Sequence, residues 1–89
     1  MSGRTDADTI ADEAPWSDAL TDYDRSHFVV YLRLLDAQAD GAADQELCRV
    51  ILGIDPVADT ARAEKALKSH LRRARWMTEQ GFRDLLRGT

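Results

Sequence analysis

The sequence has little of what secreted, membrane and disulfide-stabilised proteins require. Cys48 is its only cysteine, so no internal disulfide can form, and a reducing compartment such as the cytoplasm is favoured. The apolar runs are only a few residues long, too short for a helix that crosses a membrane. The N-terminal residues are acidic and lack the apolar core of a signal peptide. We therefore predict a cytoplasmic protein that has no membrane partner.

Residues for catalysis and metal binding are equally scarce. The only histidines are His27 and His70, and together with one cysteine they cannot supply the four ligands of a structural zinc site. The sequence has no glycine-rich phosphate loop, because its glycines fall mainly at predicted helix ends, at Gly41, Gly53, Gly81 and Gly88. The sequence therefore predicts no enzyme, no cofactor, no metal and no small-molecule ligand.

The charges that are present are divided unevenly along the chain. Residues 1–24 contain seven acidic residues against one base, Arg4, which gives a local net charge of −6. Residues 25–89 contain nine acidic and eleven basic residues, a net charge of +2. Residues 1–14 are polar and rich in aspartate, which predicts a disordered acidic leader. Residues 15–89 are predicted to form a single helical domain.

Apolar periodicity and capping residues predict three main helices. Helix 1 begins with Asp24 as its N-cap and stops at Gly41, which supplies a left-handed residue. Helix 2 covers about residues 44–52 and helix 3 about residues 59–80. The inward side chains of helix 2 are predicted to be Leu47, Val50 and Ile51.

The connection between helices 2 and 3 is unusually long for a helix-turn-helix. Residues 53–59 include Pro56, which cannot continue a helix, and exceed the three or four residues of the tight turn. A short terminal helix is predicted at Phe82, Leu85 and Leu86. The predicted fold class is all-α, a three-helix helix-turn-helix-like bundle with an extended turn and a short C-terminal helix. Another three-helix core fits the pattern equally well.

Helix 1 is apolar on two sides, which indicates a central helix or one half covered by a partner. One predicted buried face contains Phe28, Tyr31, Leu32, Leu35 and Ala39. The second is a strip formed by Val30, Leu34 and Ala37, with Tyr31 and Arg33 at its edges. We interpret this strip as the best candidate for a protein-partner site. The alternative is that Trp16, Tyr23 and Phe82 cover it within the chain.

Helix 3 carries opposite chemistry on its two sides. On a wheel of about 100° per residue, an inner stripe is predicted at Ala63, Leu67, His70, Leu71, Ala74 and Thr78. Four cations gather on the far side: Lys65, Lys68, Arg72 and Arg75. They are a solvated surface, a phosphate-binding surface, a site for an acidic partner, or a patch covered by the acidic leader. Trp76 lies opposite Leu67 and is either core or an exposed interface anchor.

Three motifs carry a family resemblance that spans residues 20–87. They are Leu20-Thr21-Asp22-Tyr23-Asp24 leading into residues 31–37, the run from Ile51 to Pro56, and the run from Ser69 to Met77. Together they resemble domain-of-unknown-function family 2285. The resemblance implies an extended-turn helix-turn-helix, which agrees with the long connection at residues 53–59.

The resemblance implies two functional types. Larger members are activators that bind DNA through basic residues. Small members are similar to rhizobial quorum-sensing antiactivators, which bind transcriptional activators and block excision and transfer genes of an integrative and conjugative element. The acidic leader and the net charge of −4 favour the antiactivator type. The expected partners are therefore a quorum-sensing regulator and a conjugative-transfer activator, and DNA is not expected to bind.

Two sets of site residues follow from these hypotheses. The predicted protein-partner site comprises Val30, Tyr31, Arg33, Leu34, Ala37 and Trp76. The alternative hypothesis is a direct DNA-binding helix-turn-helix regulator that uses helix 3, with contacts from Lys65, Lys68, Arg72 and Arg75.

Overall fold

The computed structural model describes residues 10–81, and it shows helices joined by turns with no β-strand in that range. The helices are α1 (Asp22–Ser26), α2 (Phe28–Ala39), α3 (Asp44–Glu46) and α4 (Thr60–Trp76). Two of them widen into π-helical turns, α3 at Leu47–Leu52 and α4 at Met77–Gly81. The predicted all-helical fold class is thereby confirmed. The predictions for residues 1–9 and for the terminal helix at Phe82, Leu85 and Leu86 lie outside the described residues.

The predicted helix 1 is two helices that meet at His27, whose backbone angles are φ −114° and ψ 18°. The N-cap is Thr21 rather than Asp24. The Thr21 hydroxyl accepts a hydrogen bond from the Asp24 N–H at 3.1 Å, and the Asp24 carboxylate accepts one from the Thr21 N–H at 2.9 Å. This reciprocal capping box starts α1 three residues earlier than the sequence prediction.

The predicted stop at Gly41 is confirmed. Gly41 has a φ of 90°, in the left-handed region. Its N–H donates to the Gln38 carbonyl and the Ala42 N–H donates to the Ala37 carbonyl, each at 3.0 Å. These two bonds form a Schellman motif, which satisfies the last carbonyls of α2 and turns the chain toward α3.

The extended turn between α3 and α4 has an ordered structure of its own. Gly53 ends the π-helical turn in the left-handed region with a φ of 71°. The Asp55 carboxylate then accepts hydrogen bonds from the backbone N–H groups of Val57, at 2.9 Å, and Ala58, at 3.2 Å. These bonds hold the pKa of Asp55 below its usual value. An Asx-type turn thus replaces the tight turn of a standard helix-turn-helix.

The main core lies between α2, α3 and α4. Its fully buried side chains include Leu34, Leu47 and Leu67, and Cys48 lies among them. The Cys48 thiol donates to the Ala63 carbonyl at 3.6 Å, and burial raises its pKa. The core residues are Leu34, Leu47, Cys48, Leu52, Ile54, Ala63, Ala66, Leu67 and Leu71.

The inward face of α3 differs from the prediction. Leu47 and Leu52 are buried as a pair five residues apart, whereas Val50 is 63% exposed. In a π-helical turn the backbone bonds run from i to i+5, so residues five apart share a face. A regular α-helix would have turned Val50 inward. The prediction of Val50 as a core residue was therefore wrong.

A buried ion pair joins α1 to α4. Both Arg73 and Asp24 are fully buried, and Arg73 Nη2 lies 2.6 Å from Asp24 Oδ2. Arg73 Nε donates to Asp24 Oδ1 at 3.0 Å, so the pairing is bidentate. Asp24 Oδ1 also accepts from the Tyr31 hydroxyl at 2.7 Å. Burial alone would raise the pKa of Asp24, but the bonds from Arg73, Thr21 and Tyr31 outweigh it and lower that pKa.

The remaining donors of Arg73 are also satisfied. Its Nη1 donates to the Ser17 carbonyl at 2.6 Å, and its Nη2 to the Ala19 carbonyl at 2.7 Å. The guanidinium carbon lies 3.8 Å from the ring centre of Trp76 and 5.0 Å from that of Trp16. The segment before α1 is therefore fastened to α4 through one side chain.

A second group of interior hydrogen bonds is centred on His70. His70 Nδ1 lies 2.7 Å from the Ala66 carbonyl, so it carries the proton and donates. Nε2 is then the acceptor for the Tyr23 hydroxyl, which lies at 2.5 Å and itself accepts from the Ala11 N–H at 3.0 Å. Burial lowers the pKa of His70, so the neutral ring is the stable form in the folded protein.

We expect Asp24→Asn to lower the free energy of unfolding by about 3–5 kcal/mol, because it leaves the Arg73 charge buried without its counter-ion. Asp22→Asn is the matched control. The Asp22 carboxylate is exposed and pairs with Arg25 at 3.4 Å, so its loss should cost less than about 1 kcal/mol. Urea unfolding followed by circular dichroism measures both. Equal losses in the two variants would contradict a stabilising role for the buried pair.

We also expect the domain to lose stability on mild acidification. The unfolded chain takes up a proton on His70 below about pH 6.5, whereas the folded chain resists it. The stabilisation is therefore complete above this pH and decreases below it. The free energy of unfolding should be up to about 1.4 kcal/mol lower near pH 5.5 than near pH 7.5. His70→Gln should show a smaller decrease, and an unchanged slope in that variant would refute the assignment.

Candidate nucleic-acid interface

The most polar surface of α4 is a row of four exposed cations, Lys65, Lys68, Arg72 and Arg75, here called the cationic face. The row extends over about 15 Å of helix at 1.5 Å per residue. At about 100° per residue its members lie about 80–160° from the core residue Leu67, so the row flanks the inner stripe of α4 and continues onto the far side. The structure thus places the four sequence-predicted residues together on one exposed surface.

Neutral neighbours hold two of these cations in place. Arg75 Nη2 donates to Gln38 Oε1 on α2 at 2.9 Å. The Arg72 guanidinium carbon lies 4.7 Å from the ring centre of Trp16, which is 50% exposed. Lys68 has no ion-pair partner within residues 10–81. The side chains of Arg72 and Arg75 are therefore oriented by neutral partners, and their charges are not neutralised by them.

The N-terminal end of the cationic face is different, because acidic side chains reach it. Lys65 Nζ lies 3.7 Å from Glu13 Oε1. One turn earlier, Arg62 Nε lies 2.7 Å from Asp12 Oδ1 and its Nη1 lies 3.4 Å from Asp59 Oδ2. The hydrogen bond and charge of Asp12 raise the pKa of Arg62. Arg62 was not among the predicted site residues, although it lies one turn before Lys65 on the same helix.

Within the predicted acidic leader, residues 10–14 make defined contacts with the rest of the domain. Ala14 is buried, and its N–H donates to the Ser69 hydroxyl on α4 at 2.9 Å. Ile10 packs against the main core. These apolar and backbone contacts could not be inferred from the composition of the segment, which is otherwise polar. Two contacts agree with the alternative in which the acidic leader covers cations of α4. Asp12 pairs with Arg62, and Glu13 pairs with Lys65.

Arg73 is the basic residue of α4 that lies in the interior. It was not assigned to any predicted site, and it is fully buried with its charge compensated by Asp24. No sequence pattern indicates that Arg73 is buried. The Thr21-x-x-Asp24 spacing is typical of a capping box, but it does not indicate that Asp24 also pairs with a residue 49 positions away.

The predicted protein-partner strip on α2 is mostly interior. Leu34 is 0% exposed, so the expectation of an uncovered strip was wrong for this residue, whereas Tyr31, at 1% exposed, is buried as the first predicted face of helix 1 required. Leu34 packs in the main core, and Val30 and Ala37 pack against that core as half-buried side chains. On the face predicted to be inward, Leu32 is 44% exposed. Because α2 is apolar on both sides, its periodicity alone could not decide which side faces α3 and α4.

The two other members of the predicted partner site are Arg33, at the edge of the strip, and Trp76 on α4. Arg33 is exposed on α2, and Trp76 is half-buried in a second cluster with Tyr31 and Met77. Trp76 makes an edge-to-face contact with Trp16, at 6.0 Å between ring centres. A partner-binding role for the six residues stays a prediction, and most of them are already engaged within the domain.

Two other kinds of feature, a metal site and a membrane-spanning helix, are not found in the part of the chain that the structure describes. Residues 10–81 contain no group of His, Cys, Asp and Glu side chains that could hold a metal ion. No helix in this range has the length and apolar character needed to cross a membrane.

Comparison with known proteins identifies the family. The family model RovC_DNA-bd, described as "T6SS, Transcription factor, DNA binding domain", matches residues 4–87, nearly the whole chain. The chain belongs to this family. A comparison with curated proteins gave no match.

Membership of the RovC_DNA-bd family overturns two expectations. The resemblance to domain-of-unknown-function family 2285 and its antiactivators was wrong, because the matching family is a transcription-factor DNA-binding domain. The expectation that DNA is not a partner is overturned by the same match. That expectation rested on the resemblance, the acidic leader and the net charge of the whole chain, whereas Lys68, Arg72 and Arg75 are exposed and have no ion-pair partner within residues 10–81. A transcription-factor domain also favours a non-enzymatic role.

Proposed function

We propose that this chain is a DNA-binding domain of a transcriptional regulator, and that the cationic face of α4 contacts the phosphates of duplex DNA. The observation that carries this proposal is the exposure of Lys65, Lys68, Arg72 and Arg75 on one side of a helix that follows an extended turn. A solvated surface does not need four like charges, which repel one another at i,i+3 and i,i+4 spacings.

The arrangement of α3, the extended turn and α4 supports the use of α4 as the recognition helix. In helix-turn-helix domains the second helix of the motif lies in the major groove, and the first crosses the backbone. The major groove is about 12 Å wide and admits one α-helix. The cationic face covers about 15 Å along α4, which suits contacts to phosphates at the edges of the groove.

Two of the four cations are already oriented in the free domain. Gln38 holds Arg75 through a hydrogen bond, and Trp16 holds Arg72 through a cation–π contact. Long basic side chains lose rotamer freedom when they bind, so fixing them beforehand reduces the cost of association. Trp16 thus supports binding through Arg72, and its own ring stays half exposed beside the face.

Phosphate contacts give affinity without sequence preference. If all four cations neutralise a phosphate, the slope of log K against log salt is about −3.6. Binding to a random-sequence duplex should then weaken roughly 10²-fold between about 50 mM and about 200 mM salt. Base contacts from other exposed residues of α4 would add to this common component.

We expect Lys68→Ala and Arg72→Ala each to weaken binding to duplexes of any sequence and to reduce the salt slope by about 1. Fluorescence anisotropy with a labelled random-sequence duplex of about 20 base pairs, at several salt concentrations, measures both quantities. Arg33→Ala is the matched control, because it removes one exposed positive charge from α2 instead.

Arg33→Ala should leave the salt slope unchanged. If all three variants weaken binding equally, general electrostatic attraction explains the affinity and α4 is not the interface. If the chain fails to bind the duplex even at about 50 mM salt, both with and without the negative charges of Asp12 and Glu13, the proposed function itself is refuted.

A further inference from the structure

Residues 10–14, here called the acidic segment, lie along the N-terminal half of α4. The Asp12 carboxylate is 2.7 Å from Arg62 Nε, and the Glu13 carboxylate is 3.7 Å from Lys65 Nζ. Carboxylates and phosphates bind the same donors on Arg and Lys. The acidic segment therefore pairs with Lys65, at the N-terminal end of the cationic face, and with Arg62, which lies one turn closer to the extended turn.

The ion pairs themselves are of a kind that a polyanion can displace. The side chains of Asp12 and Glu13 are each 63% exposed, and those of Arg62 and Lys65 are 47% and 59% exposed. Exposed pairs are weak and are screened by salt. Duplex DNA presents many phosphates at once and releases condensed counter-ions when it binds. It can therefore displace the two carboxylates.

The acidic segment stays close even when its carboxylates are displaced, because neutral contacts anchor it on both sides. Ala14 is buried and bonds to Ser69, and the Ala11 N–H donates to the Tyr23 hydroxyl. Ile10 packs against the main core. Such tethering keeps the effective concentration of Asp12 and Glu13 at α4 high.

We infer that the acidic segment is an autoinhibitory element, in which Asp12 and Glu13 compete with DNA phosphates for Arg62 and Lys65. The inference rests on the proposed DNA-binding function of α4. In helix-turn-helix domains the N-terminal residues of the recognition helix contact base edges. Arg62 and Lys65 lie in the corresponding N-terminal half of α4. The competition therefore acts at the end of the helix where close approach of DNA matters most.

The test is the double variant Asp12→Asn/Glu13→Gln, which keeps the shape of both side chains and removes their charges. The matched control is Asp18→Asn/Asp22→Asn, which changes the net charge equally at exposed residues that make no contact with α4 cations in residues 10–81. Both are titrated with the random-sequence duplex at low and high salt.

We expect Asp12→Asn/Glu13→Gln to bind about 5- to 10-fold more tightly at low salt. We also expect its salt slope to become steeper by about 1, since Lys65 loses its carboxylate partner and Arg62 keeps only the 3.4 Å contact with Asp59. The control should tighten binding less than about 2-fold and leave the slope unchanged. Equal behaviour of the two double variants would overturn the inference.

The two proposals can fail separately. If binding depends on Lys68 and Arg72 but both double variants behave alike, α4 is the interface and the acidic segment does not compete there. If neither the unsubstituted chain nor Asp12→Asn/Glu13→Gln binds the duplex, DNA binding and the autoinhibitory contact are both overturned.

Discussion

The ion pair between Arg73 and Asp24 determines how the rest of the domain is arranged. A charge inside a small protein is tolerated only when all its hydrogen-bonding groups are satisfied. Arg73 meets this condition through the Asp24 carboxylate and through the carbonyls of Ser17 and Ala19. These partners come from two stretches of chain, the segment before α1 and α1 itself, so satisfying one side chain of α4 fixes all three together. With this side of α4 and its inner stripe both covered, the cationic face is what remains exposed.

An acidic net charge is compatible with membership of a DNA-binding domain family once the charges are located in the structure. Charges separated by more than a Debye length, about 8–10 Å at physiological salt, are largely screened from one another, so contact with DNA is governed by the charges of the local surface. The net charge of −4 belongs to the chain as a whole, and none of the four cations of the cationic face is buried. Acidity near α4 therefore adjusts the strength of a basic surface and does not abolish it.

Local sequence patterns predicted local features of the fold well and long-range ones poorly. The inner stripe of α4 and its exposed cations follow from a 3.6-residue period, and the stop at Gly41 follows from its conformational freedom. The burial of Arg73 depends on groups about 50 residues away, so no periodicity within α4 indicates it. The two apolar sides of α2 are equivalent in the sequence, and only packing against α3 and α4 selects Leu34 over Leu32. The π-helical turn that exposes Val50 is also a result of packing.

The single cysteine has a consequence beyond the core it helps to fill. The Cys48 thiol is buried between α3 and α4, is bonded to the Ala63 carbonyl, and has a raised pKa. In the closed structure it is neither accessible nor ionised, which are the two conditions for reaction with a disulfide reagent. Its modification must therefore wait until α3 separates from α4. The rate at which a disulfide reagent modifies Cys48 therefore measures how often α3 and α4 separate, without any added label.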